Sequence, residues 1–184
     1  MLATSDHPSD DLLSELAKEL GMPVYRGSLD NVLGRFVDAT AEMNATDYCV
    51  RLTADNFLPE GNLIDSLLGH IKNTGARYLN SHQFLGPHKP RGLSAEVFEV
   101  GLLRQTGKLS QDAIQQEHVT LPMRNLSSED FSSIDERYSY TSIDTLDDYL
   151  QCASGLSQCA DIIKLSWPDL LACMSRSPAI RPVD

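Results

Sequence analysis

Apolar and polar positions along the chain switch repeatedly between a helical and a strand period. In "SDDLLSELAKELG" the residues Leu12, Leu13, Leu16, Ala17 and Leu20 recur at helical spacing and share one face. Ser9 stands where a helix is capped and Gly21 where one ends. "SLDNVLGRFVDATAEM" repeats the pattern, with Val32, Phe36, Val37 and Ala41 inward, Ser28 as N-cap and Asp30 in the first turn. "EGNLIDSLLGHIKNTG" is a third helix, entered at Pro59, with Ile64, Leu67, Leu68 and Ile71 apolar. Between these helices lie short β-forming runs: "MLAT", "MPVYRG", "TDYCVRLTAD" and "ARYLNS". "HQFLGPHKPRG" reads as a loop from its glycines and prolines.

The second half continues the alternation less regularly. "LSAEVFEV" alternates as a strand, and "VGLLRQTGKL" leads away as a short helix. "SQDAIQQEHVTLPMRN" reads as helix up to Pro122, "SSIDERYSYTSID" as strand, and "TLDDYLQCAS" as the start of a helix. "ADIIKLSWPDLLACM" reads as helix broken at Pro168, and "SRSPAIRPVD" as a mobile end. A β-α-β-α order predicts an α/β domain with a mainly parallel sheet, whose ligands sit at the carboxyl ends of its strands.

Composition narrows the function classes. A length of 184 residues suits one domain, or one domain and a tail, and 41% hydrophobic residues supply a core. No run approaches the roughly 20 apolar residues of a membrane-spanning helix, and no basic-then-apolar start marks a signal peptide. A formal net charge of -11 argues against nucleic acid as a partner. It also repels free nucleotides unless a metal and local basic groups offset it. Cys49, Cys152, Cys159 and Cys173 form no CxxC pair and have no histidine at zinc spacing. They are expected to be buried reduced thiols of a cytoplasmic protein.

Polar residues gather at or just beyond the strand ends: Arg26 to Ser28, Arg51 to Asp55, Asn80, Glu96, Glu117 with His118, and Asp144. Each has a plain structural alternative. Asp55 could cap a turn and Asp144 a helix. Glu96 could be the solvent side of a pleat, and His118 a surface or packed histidine. Two carboxylates from distant strands meeting at one sheet edge would instead form a hard oxygen site, suited to magnesium carrying a nucleotide phosphate.

In order along the chain, these segments resemble one family. "LATSDHPSDDLLSELAKELGMPVYRGSLDNVLGRF" is similar to the middle part of cytidylyltransferases of the spore-coat polysaccharide biosynthesis type, relatives of the CMP-sugar acid synthetases. "VRLTADN", "RGLSAEVFEVGLL", "EHVT" and "SIDTLDDY" resemble further motifs of that family, collinear from about residue 2 to residue 150. The resemblance implies a Rossmann-like nucleotide-sugar transferase (GT-A-like) fold over residues 1–150, with 151–184 as a helical or mobile tail. It implies that CTP and a sugar or sugar acid react to give a CMP-sugar and pyrophosphate, in a cytoplasmic homodimer. Carried onto this chain, it implies that Asp55 and Asp144 hold Mg2+. Ser28, Asp30, Arg35 and Arg51 would lie at the nucleotide, and Asn80, Glu96, Glu117 and His118 at the sugar.

The chain departs from the family pattern at Ala54, Phe57, Gln116 and Leu146, where Gly, Pro, Arg and Pro are usual. It also lacks the family's opening Gly-Ser-x-Arg-Leu-Pro-Gly-Lys loop, which wraps the triphosphate. The expectation is therefore an N-terminally truncated cytidylyltransferase. Two alternatives stay open: an active form whose loop comes from a second subunit, and a degenerate, non-catalytic relative serving as a binding or assembly subunit.

Overall fold

Leu2–Ser5 forms strand β1 and Val24–Gly27 forms β2. They pair in parallel, Leu2 opposite Val24 and Ser5 opposite Gly27. The connection between them is a 3-10 turn, Pro8–Asp10, followed by helix α1, Asp11–Glu19. The computed structural model to which these elements belong describes residues 1–58, 60–81, 92–110, 112–124, 142–162 and 164–174. The expected loop "HQFLGPHKPRG" up to Arg91, nearly all of the strand expected in "SSIDERYSYTSID", and the end "SRSPAIRPVD" lie outside the described residues.

The remaining elements are helix α2 (Val32–Ala39), strand β3 (Tyr48–Arg51), helix α3 (Gly61–Thr74) and strands β4 (Tyr78–Asn80) and β5 (Glu96–Glu99). Helices α4 (Val100–Leu109), α5 (Ala113–Glu117), α6 (Leu121–Arg124), α7 (Leu146–Leu156) and α8 (Trp167–Met174) follow. The α/β character is as expected. Among the described residues, however, the strands form a two-stranded parallel sheet and a three-stranded sheet of order β3-β5-β4, not one sheet. The described chain forms two compact units, one of residues 1–49 and 98–124, the other of 50–97 and 142–174. The chain changes unit inside β3 and again inside β5. The boundary at residue 150 implied by the resemblance falls within α7.

In the first unit, Leu33 of α2 is buried, as are Phe98, Val100, Leu103, Val119 and Met123. Helix α4 approaches closely because Gly101 has no side chain: its N–H donates to the Ala45 carbonyl at 2.7 Å, and a Cβ there would stand 2.9 Å from that oxygen. Arg104 of α4 donates through Nη2 to the carbonyls of Thr40, Ala41 and Met43, at 3.0, 3.0 and 2.7 Å. It thereby satisfies acceptors at and beyond the end of α2. In the second unit, Leu63, Leu67 and Ile71 of α3 are buried, together with Leu58, Leu93, Val97, Leu171 and Met174. Ile64 and Leu68 are only half-buried.

Several local expectations are corrected. The leucines of α1 do not face a core: Leu12 is 79% and Leu20 is 71% exposed, and the buried side of the helix is Ser14 and Ala17. Ser9 does not cap α1; it lies in the 3-10 turn, where its N–H meets the ring of His7. Gly21 does end α1, at φ +70, in a Schellman arrangement: Met22 N–H donates to Ala17 O and Gly21 N–H to Lys18 O. Helix α2 is capped by Asn31, whose Oδ1 accepts from Gly34 N–H at 2.8 Å, so Ser28 and Asp30 both precede it. Ala41 lies beyond α2 and is exposed. The cap of α7 is Thr145, not Asp144, in a reciprocal capping box with Asp148. Pro122 and Pro168 break no helix; each sits in a first turn, where a missing N–H costs nothing. The break falls earlier, at His118–Thr120.

The cysteines are also corrected. Cys159 and Cys173 form a disulfide, while Cys49 and Cys152 remain thiols. The bond ties the segment after α7 to α8. Burial pushes the Cys152 thiol up to about 11, with the Asp148 carboxylate adding to the shift. Thiol titration of the unreduced, denatured chain should therefore count two thiols, and four after reductant (four cysteines less the bonded pair). Four thiols before reductant would remove the bond.

Candidate active site

In the first unit, polar groups converge where parallel β1 and β2 end. The Asp10 carboxylate accepts through Oδ2 from Thr4 Oγ1 at 2.7 Å, Ser5 Oγ at 2.6 Å and Ser5 N–H at 3.0 Å. Its Oδ1 accepts from Ser9 Oγ at 3.1 Å. These donors, the Ser5 hydroxyl foremost, hold the Asp10 carboxyl far below the ordinary carboxylate value. Arg26 spans the same end: Nε donates to Ser5 O at 2.8 Å, Nη1 to Asp11 at 2.7 Å and Nη2 to His7 O at 2.9 Å.

Two of the expected nucleotide residues meet here. Arg35 Nη1 donates to the Ser28 carbonyl at 2.9 Å, and the Ser28 hydroxyl accepts from Asn31 N–H at 3.0 Å. The Arg35 Nε is buried and has no partner among the described residues. Burial pulls the Arg35 guanidinium downward; the negative charges of Asp10 and Asp6 act the other way. Asp30 is exposed beside this group and makes no hydrogen bond among the described residues. Glu117 and His118 are exposed at the end of α5. They precede a strained turn, in which Val119 is fully buried at φ +40, a backbone conformation that β-branched residues rarely adopt.

In the second unit, Arg51, Glu96 and Asn80 are joined through a residue that sequence reasoning missed, Tyr78. Arg51 Nη1 meets Glu96 Oε2 at 2.6 Å, Tyr78 Oη donates to Glu96 Oε1 at 2.9 Å, and Asn80 Nδ2 donates to Tyr78 Oη at 3.1 Å. Glu96 is 4% exposed, so the solvent-facing alternative for it does not hold. Asp55 and Asp144 come from segments that the backbone ties together. Asn56 and Ser142 form an antiparallel bridge, and Ile143 N–H donates to the Asp55 carbonyl at 2.8 Å. Asp55 is exposed, and nothing among the described residues donates to its carboxylate. Asp144, also exposed, accepts a 3.3 Å contact from the Ser142 hydroxyl.

The donor set suits a hard divalent cation. Magnesium commonly takes one or two protein carboxylates and completes its shell with water and phosphate oxygens. Among the described residues no three or more His, Cys, Asp or Glu side chains converge as a metal cage. No helix among the described residues is long and apolar enough to cross a membrane.

No family model matches the chain. It is 30% identical over 189 residues to the spore coat polysaccharide biosynthesis protein SpsF of Bacillus subtilis, covering 97% of this chain and 75% of that protein. The chain is an SpsF-like relative of the cytidylyltransferases. It is also 33% identical over 120 residues to an uncharacterised protein of Methanocaldococcus jannaschii, covering 65% of this chain and 47% of that protein. The match thus spans about half the length of this second relative. A solved structure of a cytidylyltransferase from Leptospira borgpetersenii serovar Hardjo-bovis superposes with a TM-score of 0.78 at 24% identity, over 98% of this chain and 77% of that one. That superposition shows that the SpsF-like chain has the same fold.

The sequence motifs led to Arg51, Asp55, Glu96 and Asp144, and the strand-end pattern to Arg26, but Thr4, Ser5 and Asp10 were passed over. The signal was present: a Thr-Ser pair closing a strand, with acids opening the next helix. Two outcomes follow. Asp10 has a native pKa below its unfolded one, so its contribution to stability is present above the ordinary value of 3.8 and is lost as pH falls through and below it. Acid melts of Asp10→Asn should therefore lose less stability than wild type between about pH 5 and about pH 2. Truncation of Glu96 removes the buried carboxylate that both Arg51 and Tyr78 meet, so Glu96→Ala should lower unfolding free energy by about 3 kcal/mol in urea melts.

Proposed function

We propose that this chain is a nucleotidyltransferase that joins CTP to a sugar or sugar acid, releasing pyrophosphate and leaving a CMP-sugar. The observation that carries this reading is the backbone closure that brings the Asp55 and Asp144 segments together. Likeness to SpsF over nearly the whole chain and to the fold of a solved cytidylyltransferase supports it. Glycan or surface polysaccharide synthesis, a cytoplasmic setting and a homodimer belong to the same reading.

In the reaction a sugar hydroxyl oxygen forms a bond to the α-phosphorus of CTP. The bond from that phosphorus to the β-phosphate oxygen breaks, pyrophosphate leaves, and the hydroxyl proton passes to solvent. Most of the catalysis is positioning and charge neutralisation. Asp55 and Asp144 would hold magnesium, which supplies positive charge at the triphosphate and acidifies the attacking hydroxyl. Ser28 and Arg35, with Asp30 beside them, would contact the nucleotide. Arg51 is held by Glu96 and fixes the end of the strand that leads to Asp55. By the same resemblance Asn80, Glu96, Glu117 and His118 would serve the sugar.

The test is the melting temperature with CTP and magnesium, against ATP and magnesium and against CTP with chelator. A ligand at a hundredfold excess over its dissociation constant stabilises by about 2.7 kcal/mol. The expected result is a metal-dependent rise with CTP, absent in Asp55→Ala and in Asp144→Ala, with pyrophosphate release once the right sugar is added. No rise with any nucleotide would remove catalysis by this chain and leave a non-catalytic binding or assembly subunit.

A further inference from the structure

A cavity of about 670 Å³ lies in the second unit, and none of the expected site residues lines it. One wall runs from Phe57 into the start of α3. Phe57 follows Asp55 by two residues, so this wall begins within about 7 Å of it along the chain. Most of the other wall comes from one short stretch: Ile162, Lys164, Leu165, Ser166, Trp167 and Leu170. All of these lie between Cys159 and Cys173, the two ends of the disulfide. The bond spans a sequence separation of 14, and the Cα atoms of its cysteines stand 5.7 Å apart. The stretch that the bond closes is therefore the stretch that lines the cavity.

The rest of that stretch is lightly held. Ala160, Asp161, Ile162, Lys164 and Ser166 are exposed. Its hydrogen bonds among the described residues are local. Lys164 donates to Asp161 through its N–H at 3.0 Å and its Nζ at 2.5 Å, and Ser166 Oγ donates to Asp169 at 2.6 Å. Asp161 sits at φ +54, a conformation that costs a residue other than glycine. Both ends are firmly seated, by buried Cys152 and Gly155 of α7 and by buried Leu170, Leu171 and Met174 of α8. Exposed, local bonds and few buried apolar groups mark a segment that opens at low free energy. A cross-link from the end of α7 to α8 removes that freedom.

The bond is also reachable. Cys159 and Cys173 are both half-buried, whereas Cys152 is 2% exposed. The Gln158 carbonyl lies 3.3 Å from Cys173 Sγ, placed to accept from that thiol once it forms.

We propose that the Cys159–Cys173 bond is a redox-sensitive latch on this cavity: closed, it holds the wall that carries Trp167, and opened by a dithiol reductant, it lets that wall loosen. One sulfur of the reductant bonds to a cysteine sulfur as the S–S bond breaks. The reductant's second sulfur then displaces that cysteine and closes a cyclic disulfide. The reductant's two protons and two electrons end on Cys159 and Cys173, and exchange with a small disulfide closes the latch again. The cytoplasmic setting proposed above is one in which such a bond opens and closes instead of staying shut. The latch does not depend on the transfer reaction.

The experiment compares the native full chain, without nucleotide, before and after dithiothreitol. Alkylation of Cys159 and Cys173 reports the bond. Acrylamide quenching of Trp167, the chain's single tryptophan, reports the wall, as does tryptic cleavage after Lys164, whose side chain is 81% exposed. The expected result is alkylation of both cysteines without denaturant, quenching raised about twofold or more and cleavage quickened about tenfold or more, all reversed by oxidised glutathione. Cys173→Ser should match the reduced chain with or without dithiothreitol, and Cys49→Ser should respond as wild type does. If Cys173→Ser loses the wild-type circular dichroism, Cys159→Ser serves in its place.

A bond that never forms, or that dithiothreitol leaves intact in the native chain, overturns the inference. So do quenching and cleavage that stay the same once both cysteines are alkylated, or a dithiothreitol response that persists in Cys173→Ser and Cys159→Ser. CTP-dependent melting is scored separately. No rise with CTP beside a responding Trp167 removes the transferase reading and keeps the latch. A rise with CTP beside an unresponsive Trp167 removes the latch and keeps the transferase reading.

Discussion

One backbone hydrogen bond, from Ile143 N–H to the Asp55 carbonyl, fixes what the second unit can do. With the Asn56–Ser142 bridge it joins two segments far apart in sequence. Each segment brings an aspartate that structure alone does not require. Asp55 is held by its backbone, so its carboxylate makes no structural hydrogen bond among the described residues. Asp144 is relieved of capping α7 because Thr145 does so. A carboxylate at an exposed strand end is usually explained by a turn or a cap. Where local backbone needs are met by neighbours, the side chain is available for a ligand.

The first unit reaches a comparable result by a different route. Parallel strands leave carbonyl and hydroxyl groups pointing beyond their carboxyl ends, and Asp10 and Arg26 gather them. Asp10 takes three donors from Thr4 and Ser5, and Arg26 takes the Ser5 carbonyl, so the end of β1 is fixed from both sides. Arg35 is then placed with a buried, unpartnered Nε in the field of Asp6 and Asp10. In a chain of net charge -11, a cation presented in this way is the kind of group that meets a phosphate.

Much of this was legible in the sequence, because helix and strand periods are local properties. The positions of the five described strands, the existence of α1, α2, α3 and α7, and the glycine stop at Gly21 all follow from spacing and turn chemistry. What failed was mostly a contest between neighbours. Asn31 outcompeted Ser28 and Thr145 outcompeted Asp144 as caps, and spacing does not say which oxygen reaches the N–H. The leucines of α1 share a face, but their period cannot say whether that face is covered; small Ser14 and Ala17 took the buried side. The Cys159–Cys173 bond depends on how α8 is brought beside the end of α7, which no local pattern encodes. At the candidate site, Arg51, Asp55, Glu96 and Asp144 came from motifs. Tyr78 and Asp10 act through contacts between elements and were passed over for that reason.

The most direct test of the shared role of Asp55 and Asp144 is manganese binding, followed by electron paramagnetic resonance in the presence of CTP. The account predicts one tight, CTP-dependent manganese in the wild-type chain, lost in Asp55→Asn and lost equally in Asp144→Asn, with the double variant no worse than either. Tight manganese binding that survives either single substitution would contradict it.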